Sequence, residues 1–171
     1  IIASAMESCG LHKRIALKIL EFAGTSPSKI IAGFMLTTAI LSMWVSNTAS
    51  TIMMLPIATS VIIIFNNKSH SKKGDFAIPL LLAIAYSASI GGTATIIGTP
   101  TNIMLASILS DTYKFQISFI DWFIMGFPIV VVLLPVVWLF LNKVIFKVSS
   151  KKSHALEKTL LNMNNNIGQP S

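Results

Sequence analysis

Polar and apolar positions along the 171 residues are sorted into long blocks. No charged side chain lies between Lys29 and Lys68, between Asp75 and Asp111, or between Asp121 and Lys143. Segments of that length can sit in hydrocarbon without burying an ion. The first block holds two apolar arms, residues 30–45 and 49–65, separated by the polar tripeptide Ser46-Asn47-Thr48. As helices the arms rise about 24 to 26 Å, short of a hydrocarbon core of about 30 Å. This pattern predicts a re-entrant helical hairpin over 30–66 with the tripeptide at its tip near mid-membrane. The competing reading is two short full spans joined by a solvated turn. Pro56 kinks the second arm in either case.

The second block has the opposite fault. Residues 76–109 would make one helix of about 51 Å, too long to stand upright in a bilayer. The interruption is GGTATIIGTPTN, residues 91–102, with three glycines, four threonines, a proline and an asparagine. Pro100 removes a backbone donor and biases Thr99 away from helix, while the glycines permit positive φ. A discontinuous helix is expected, over about 76–90 and 101–109. Unwound backbone at membrane depth must face protein or a wet cavity, because unsatisfied amides are costly in lipid. The two polar interruptions should therefore face each other. The third block, 122–142, reads as an ordinary transmembrane helix.

Composition agrees with this picture. The chain is 53% hydrophobic and 11% charged, against roughly 25% charged in an ordinary soluble domain. Its basic residues fix the orientation. Lys13, Arg14, Lys18 and Lys29 precede the first block, Lys68, Lys72 and Lys73 follow it, and Lys143, Lys147, Lys151, Lys152 and Lys158 follow the last. Residues 110–121 hold one base, Lys114, beside Asp111 and Asp121. The positive-inside bias makes 1–29, 67–75 and 143–171 cytoplasmic and 110–121 external. The same bias accounts for the pI of 9.8 without nucleic acid, and no base-reading module is present. One cysteine and three scattered histidines leave no zinc spacing and no disulfide framework. No nucleophile, base and orienting group converge in the apolar blocks, so an enzyme is not expected.

A hairpin tip meeting a broken helix is an arrangement that secondary transporters use. Helix N-termini there offer N–H groups to an anion, and freed carbonyls and hydroxyls hold a coupling cation. Ser46, Asn47 and Thr48 can bind through neutral hydrogen bonds and also cap the helix after them, with Ser42 one turn before Ser46. Oxygen ligands of this kind suit Na⁺.

Four stretches carry a resemblance to a known family: GLHKRIAL (residues 10–17), SMWVSNTASTIMMLP (42–56), SASIGGTATIIGTPTN (87–102) and DWFIMGFPIVVVLLPVVWLFL (121–141). Together they resemble the N-terminal half of the divalent anion/sodium symporters, which include Na⁺-coupled di- and tricarboxylate carriers. The resemblance implies an all-α membrane protein, one half of an inverted-repeat secondary transporter. It implies Na⁺ contacts from Ser42, Ser46, Asn47 and Gly98, and carboxylate contacts from Ser46, Asn47, Thr48, Thr99 and Pro100. Thr101 departs from the pattern, since many members have a second Pro there. Residues 10–22 look like the family's cytoplasmic interfacial helix, Trp122 and Trp138 like anchors of the last span, and Trp44 like packing for the site. The tail, 143–171, reads as a polar linker.

One tripeptide and one broken helix amount to half a site. The expectations are a fragment of a multi-pass protein of the bacterial inner (plasma) membrane, completed by a second inverted repeat and a homodimer partner. The function expected is sodium-coupled symport of a dicarboxylate or tricarboxylate of the succinate, malate and citrate class. A related carrier for sulfate or another anion, or a non-transporting membrane subunit, is the alternative.

Overall fold

The computed structural model describes residues 26–68 and 76–146. The expected interfacial helix, the basic loop centred on 72 and the linker beyond 146 lie outside these residues. Five helices follow one another: α1 Pro27–Ser42, α2 Asn47–Lys68, α3 Ala77–Gly92, α4 Pro100–Tyr113 and α5 Phe119–Leu139. The last continues into a π-helical segment, Phe140–Ile145. The described residues are all helix and connection, as the long apolar blocks require.

The helix ends follow local chemistry. Ser26 precedes Pro27, and a proline in the first turn loses no hydrogen bond because that N–H has no intrahelical partner. Thr99 is extended at φ −143° and ψ 145°, as a residue before proline should be, and Pro100 opens α4. The chain then leaves α4 through Lys114, whose φ of 55° is left-handed, with the Phe115 N–H returning to the Leu109 carbonyl. Ser118 and Asp121 form a reciprocal capping box that starts α5.

These caps move several expected boundaries. The first arm stops at Ser42 instead of 45, and residues 43–45 turn back onto the Leu41 and Ala39 carbonyls. The second arm starts at Asn47, so the tripeptide is the start of a helix and not a separate linker between arms. The second half of the broken helix runs to Tyr113, past the expected 109, and closes at the left-handed Lys114. The connection before α5 shrinks to 114–118, since the capping box starts that helix at Phe119 instead of 122.

One helix among the described residues, Phe119–Ile145, is long and apolar enough to cross a bilayer. Helices α1 and α3, at 16 residues each, are apolar but short, rising about 24 Å.

Helix α3 is the centre of the packing, lying against α1 and α2 and less extensively against α5. Ile30, Ile31, Phe34 and Met35 of α1 bury against Met54, Ala58 and Val61 of α2 and Leu80, Ala83 and Ile84 of α3. Gly91 makes the closest approach: a Cβ there would collide with the Ala39 backbone. Small residues permit such contact, which apolar bulk alone does not drive in a membrane. Two indoles then fix α5. Trp138 Nε1 donates to the Ser28 carbonyl at 2.9 Å, and Trp122 Nε1 to the Thr93 carbonyl at 3.1 Å. Helix α5 is therefore antiparallel to α1 and α3, which run in the same direction. Both tryptophans tie helices together, a role their sequence positions did not disclose.

Candidate functional site

Residues 43–46, at the hairpin turn, and residues 93–99, at the interruption of the broken helix, are in direct contact. The Thr95 hydroxyl, fully buried, donates to the Met43 carbonyl across that contact. Met43, Ala94 and Val130 form a small apolar cluster beneath it. Both features are level with the first two turns of α5. Trp44 stacks on Phe119 with ring centroids 6.4 Å apart, and Gly126 lies against the Thr93 and Ala94 carbonyls. Trp44, expected as packing for the site, is 53% exposed and packs beside the tip on Phe119 of α5.

Ser42 and Asn47 are brought together. Ser42 is fully buried, and its Oγ lies 2.7 Å from Asn47 Oδ1 and 2.7 Å from the Ala88 carbonyl of α3. A hydroxyl carries one proton, so it can donate to only one of these oxygens. Three oxygens from three helices meet here around a single donor, unless the Asn47 amide turns to present its NH₂. With the amide turned so, Ser42 Oγ accepts from Asn47 Nδ2 and donates to the Ala88 carbonyl; in either orientation neutral oxygens of the kind a hard cation takes converge here. The Asn47 side chain also covers the end of α3: a Cβ on Gly92 would collide with it.

The other expected residues are placed differently. Ser46 is exposed and acts as the cap of α2, its Oγ accepting from the Ala49 N–H at 3.4 Å. Thr48 is exposed in the first turn of the same helix. Gly98 is buried against the Gly92 carbonyl, so it reaches Asn47 only through Gly92. Thr99 is half-buried with its Oγ1 3.2 Å from Thr101 Oγ1, and Pro100 is exposed at the start of α4. Ser42 and the glycines are thus buried, Asn47 and Thr99 are half-buried, and Ser46, Thr48 and Pro100 are exposed.

Asn102 is the residue that the sequence undervalued. Buried at 8% exposure, its Nδ2 donates to the Gly92 carbonyl at 2.9 Å and the Thr95 carbonyl at 2.8 Å. It supplies donors to the last carbonyl of α3 and to the turn after it, which the broken ladder would leave unmatched. Its position at the end of the Gly/Thr/Pro run was the available signal, since an amide one turn into a helix can reach back over a proline-marked interruption. No cluster of three or more His, Cys, Asp or Glu able to hold a metal occurs among the described residues.

The chain also resembles known proteins. The family model described as Citrate transporter (CitMHS) matches residues 1–164. The chain is 42% identical over 152 residues to the sodium-dependent dicarboxylate transporter SdcS of Staphylococcus saprophyticus, covering 86% of this chain and 29% of that protein. The protein of the same name from Staphylococcus aureus strain USA300 is 43% identical, with the same coverage of 86% and 29%. The chain thus spans less than a third of the length of the curated relatives it matches. Its family and relatives are transporters and not enzymes. With nearly its whole length matched, this chain belongs to the citrate transporter family.

Proposed function

We propose that the chain supplies one half of the substrate and cation site of a sodium-coupled symporter for a dicarboxylate or tricarboxylate anion. The observation that carries this reading is the meeting of Ser42 Oγ, Asn47 Oδ1 and the Ala88 carbonyl where the hairpin touches the broken helix. Neutral oxygens take Na⁺ in preference to divalent ions, which favour carboxylate ligands. The relatives' printed names, with their sodium dependence and dicarboxylate substrate, support the same assignment.

Ser46, Asn47, Thr48, Thr99 and Pro100 stand at the starts of α2 and α4. The first-turn N–H groups of a helix lack intrahelical partners and its dipole is positive at that end, so both starts suit a substrate carboxylate. Filling the cation cluster brings positive charge beside the hairpin tip, which favours the anion. Coupling between the two solutes then follows from charge and from the shared Asn47. Among the described residues no buried Arg or Lys holds the anion, which eases its release.

A second, inverted repeat contributes the opposing tip, the complete protein works as a homodimer, and it resides in a bacterial inner membrane with the hairpin re-entrant. Movement of the site between the two faces is alternating access. The test uses the full-length protein in proteoliposomes. Asn47→Ala is expected to abolish Na⁺-driven succinate uptake, and citrate, not sulfate, is expected to compete in the unmutated protein. Uptake by Asn47→Ala at the unmutated rate would remove the site assignment, and stronger competition by sulfate would move the substrate class.

A further inference from the structure

Buried hydroxyls on these helices return their proton to the backbone: Thr37 to the Gly33 carbonyl at 2.9 Å, Thr38 to the Phe34 carbonyl at 2.7 Å, and Ser87 to the Ala83 carbonyl. Ser50 does not. It is fully buried, and among the described residues its Oγ is the buried hydroxyl with no hydrogen-bond partner. The carbonyl four residues back, Ser46, accepts only the Ser50 N–H, at 2.9 Å. Its neighbour Thr51 does use the usual arrangement, donating to the Asn47 carbonyl at 2.8 Å, so nothing in the local helix prevents it. A dry oxygen without a partner costs a full hydrogen bond, and in native proteins such groups mark the place of a water or an ion.

Its place on α2 says which. Residues three apart lie on one face of a helix, and Ser50 follows Asn47 by three. The same face continues through Met54, Ile57, Ala58 and Val61, all buried, toward α1 and α3. Ser50 therefore shares a face of α2 with Asn47, about 4.5 Å further along the helix axis, and Asn47 is the residue that meets Ser42.

We propose that the Ser50 hydroxyl is a further oxygen ligand of the cation that Ser42 and Asn47 hold, an inference that rests on the symporter reading above. The ligand set becomes Ser42 Oγ, Asn47 Oδ1, the Ala88 carbonyl and Ser50 Oγ. It is entirely neutral, which suits a monovalent hard cation. It also ties α2 to α1 and α3 through the ion itself, so the ion tightens the contact between the hairpin and the broken helix.

The experiment is thermal melting of the full-length protein in detergent, without substrate, as choline is exchanged for Na⁺ at constant ionic strength. An ion that binds only the folded state raises the melting temperature with its concentration. Ser50→Ala is expected to raise the half-saturating Na⁺ concentration about tenfold, while its melting temperature in choline stays equal to or above that of the unmutated protein, because the orphan oxygen is gone. Ser50→Thr keeps the oxygen and should restore Na⁺ affinity to within about twofold. Ser50→Cys, close in size but a soft ligand, should behave as Ser50→Ala and carries the test if the alanine variant fails to fold. Asn47→Ala separates the two levels of the reading. If it weakens Na⁺ stabilisation and neither Ser50→Ala nor Ser50→Cys does, the symporter site stands and the Ser50 inference falls. If none of the three changes it, the cation site itself is misplaced.

Discussion

The two halves of the broken helix have similar lengths, 16 residues in α3 and 14 in α4, and opposite surroundings. Helix α3 buries Leu80, Ala83, Ile84, Ser87, Ala88, Gly91 and Gly92 and packs against three other helices. Helix α4 buries Asn102 alone and makes at most marginal contact with any other helix among the described residues. Its Ile103, Met104, Leu105 and Ile108 are all exposed. Both halves are apolar, so hydrophobicity does not separate them. The difference is that α3 carries small residues where another backbone must come close, and α4 is joined to the rest by one amide side chain. One half is a fixed wall of the site, and the other is an arm whose apolar surface needs lipid or further protein to cover it.

The sharpest way to break this comparison is at Gly91. Gly91→Val places side-chain atoms against the Ala39 backbone, which cannot move aside as a side chain could. A loss of about 3 kcal/mol or more is expected in unfolding of the chain in detergent micelles. Asn102→Ala comes next. It strips the donors from the Gly92 and Thr95 carbonyls, with an expected cost of about 2 to 3 kcal/mol. Hydrogen exchange should then quicken across residues 93–99 and α4 while α3 stays protected, and equal quickening in α3 would show that the halves are one cooperative unit. The smallest effect belongs to α4 itself. Met104 is 66% exposed, so Met104→Ser should change stability in this chain by about 0.5 kcal/mol or less. A much larger loss would mean that α4 already has a packing partner.

The interruptions were readable in the sequence because they are local. Proline lacks a donor wherever it stands, and apolar arms of 16 and 17 residues or an uncharged stretch of 34 fit a bilayer badly for reasons of length alone. The polar tripeptide was equally visible, yet its internal division was not. Ser46 spends its hydroxyl as a helix cap on the exposed side, while Asn47, next in sequence, turns inward to Ser42. Successive helical residues point about 100° apart, so where the helix begins decides which of the three faces inward. The start at Asn47, two residues before the expected one, makes that choice.

Helix content and the two interruptions were determined by the sequence alone, through backbone chemistry and the energetics of burying charge, while the oxygens of Ser42 and Asn47 were singled out by the family resemblance. The tertiary structure alone decided which carbonyls those oxygens meet. Ala88 lies 46 residues from Ser42, Thr95 lies 52 from Met43, and Trp138 lies 110 from the Ser28 carbonyl it secures. These pairings depend on α1 and α3 closing to backbone contact at Gly91 and Ala39. That closeness arises from the mutual fit of two helices and is not a property of either segment alone, so no local pattern could announce it.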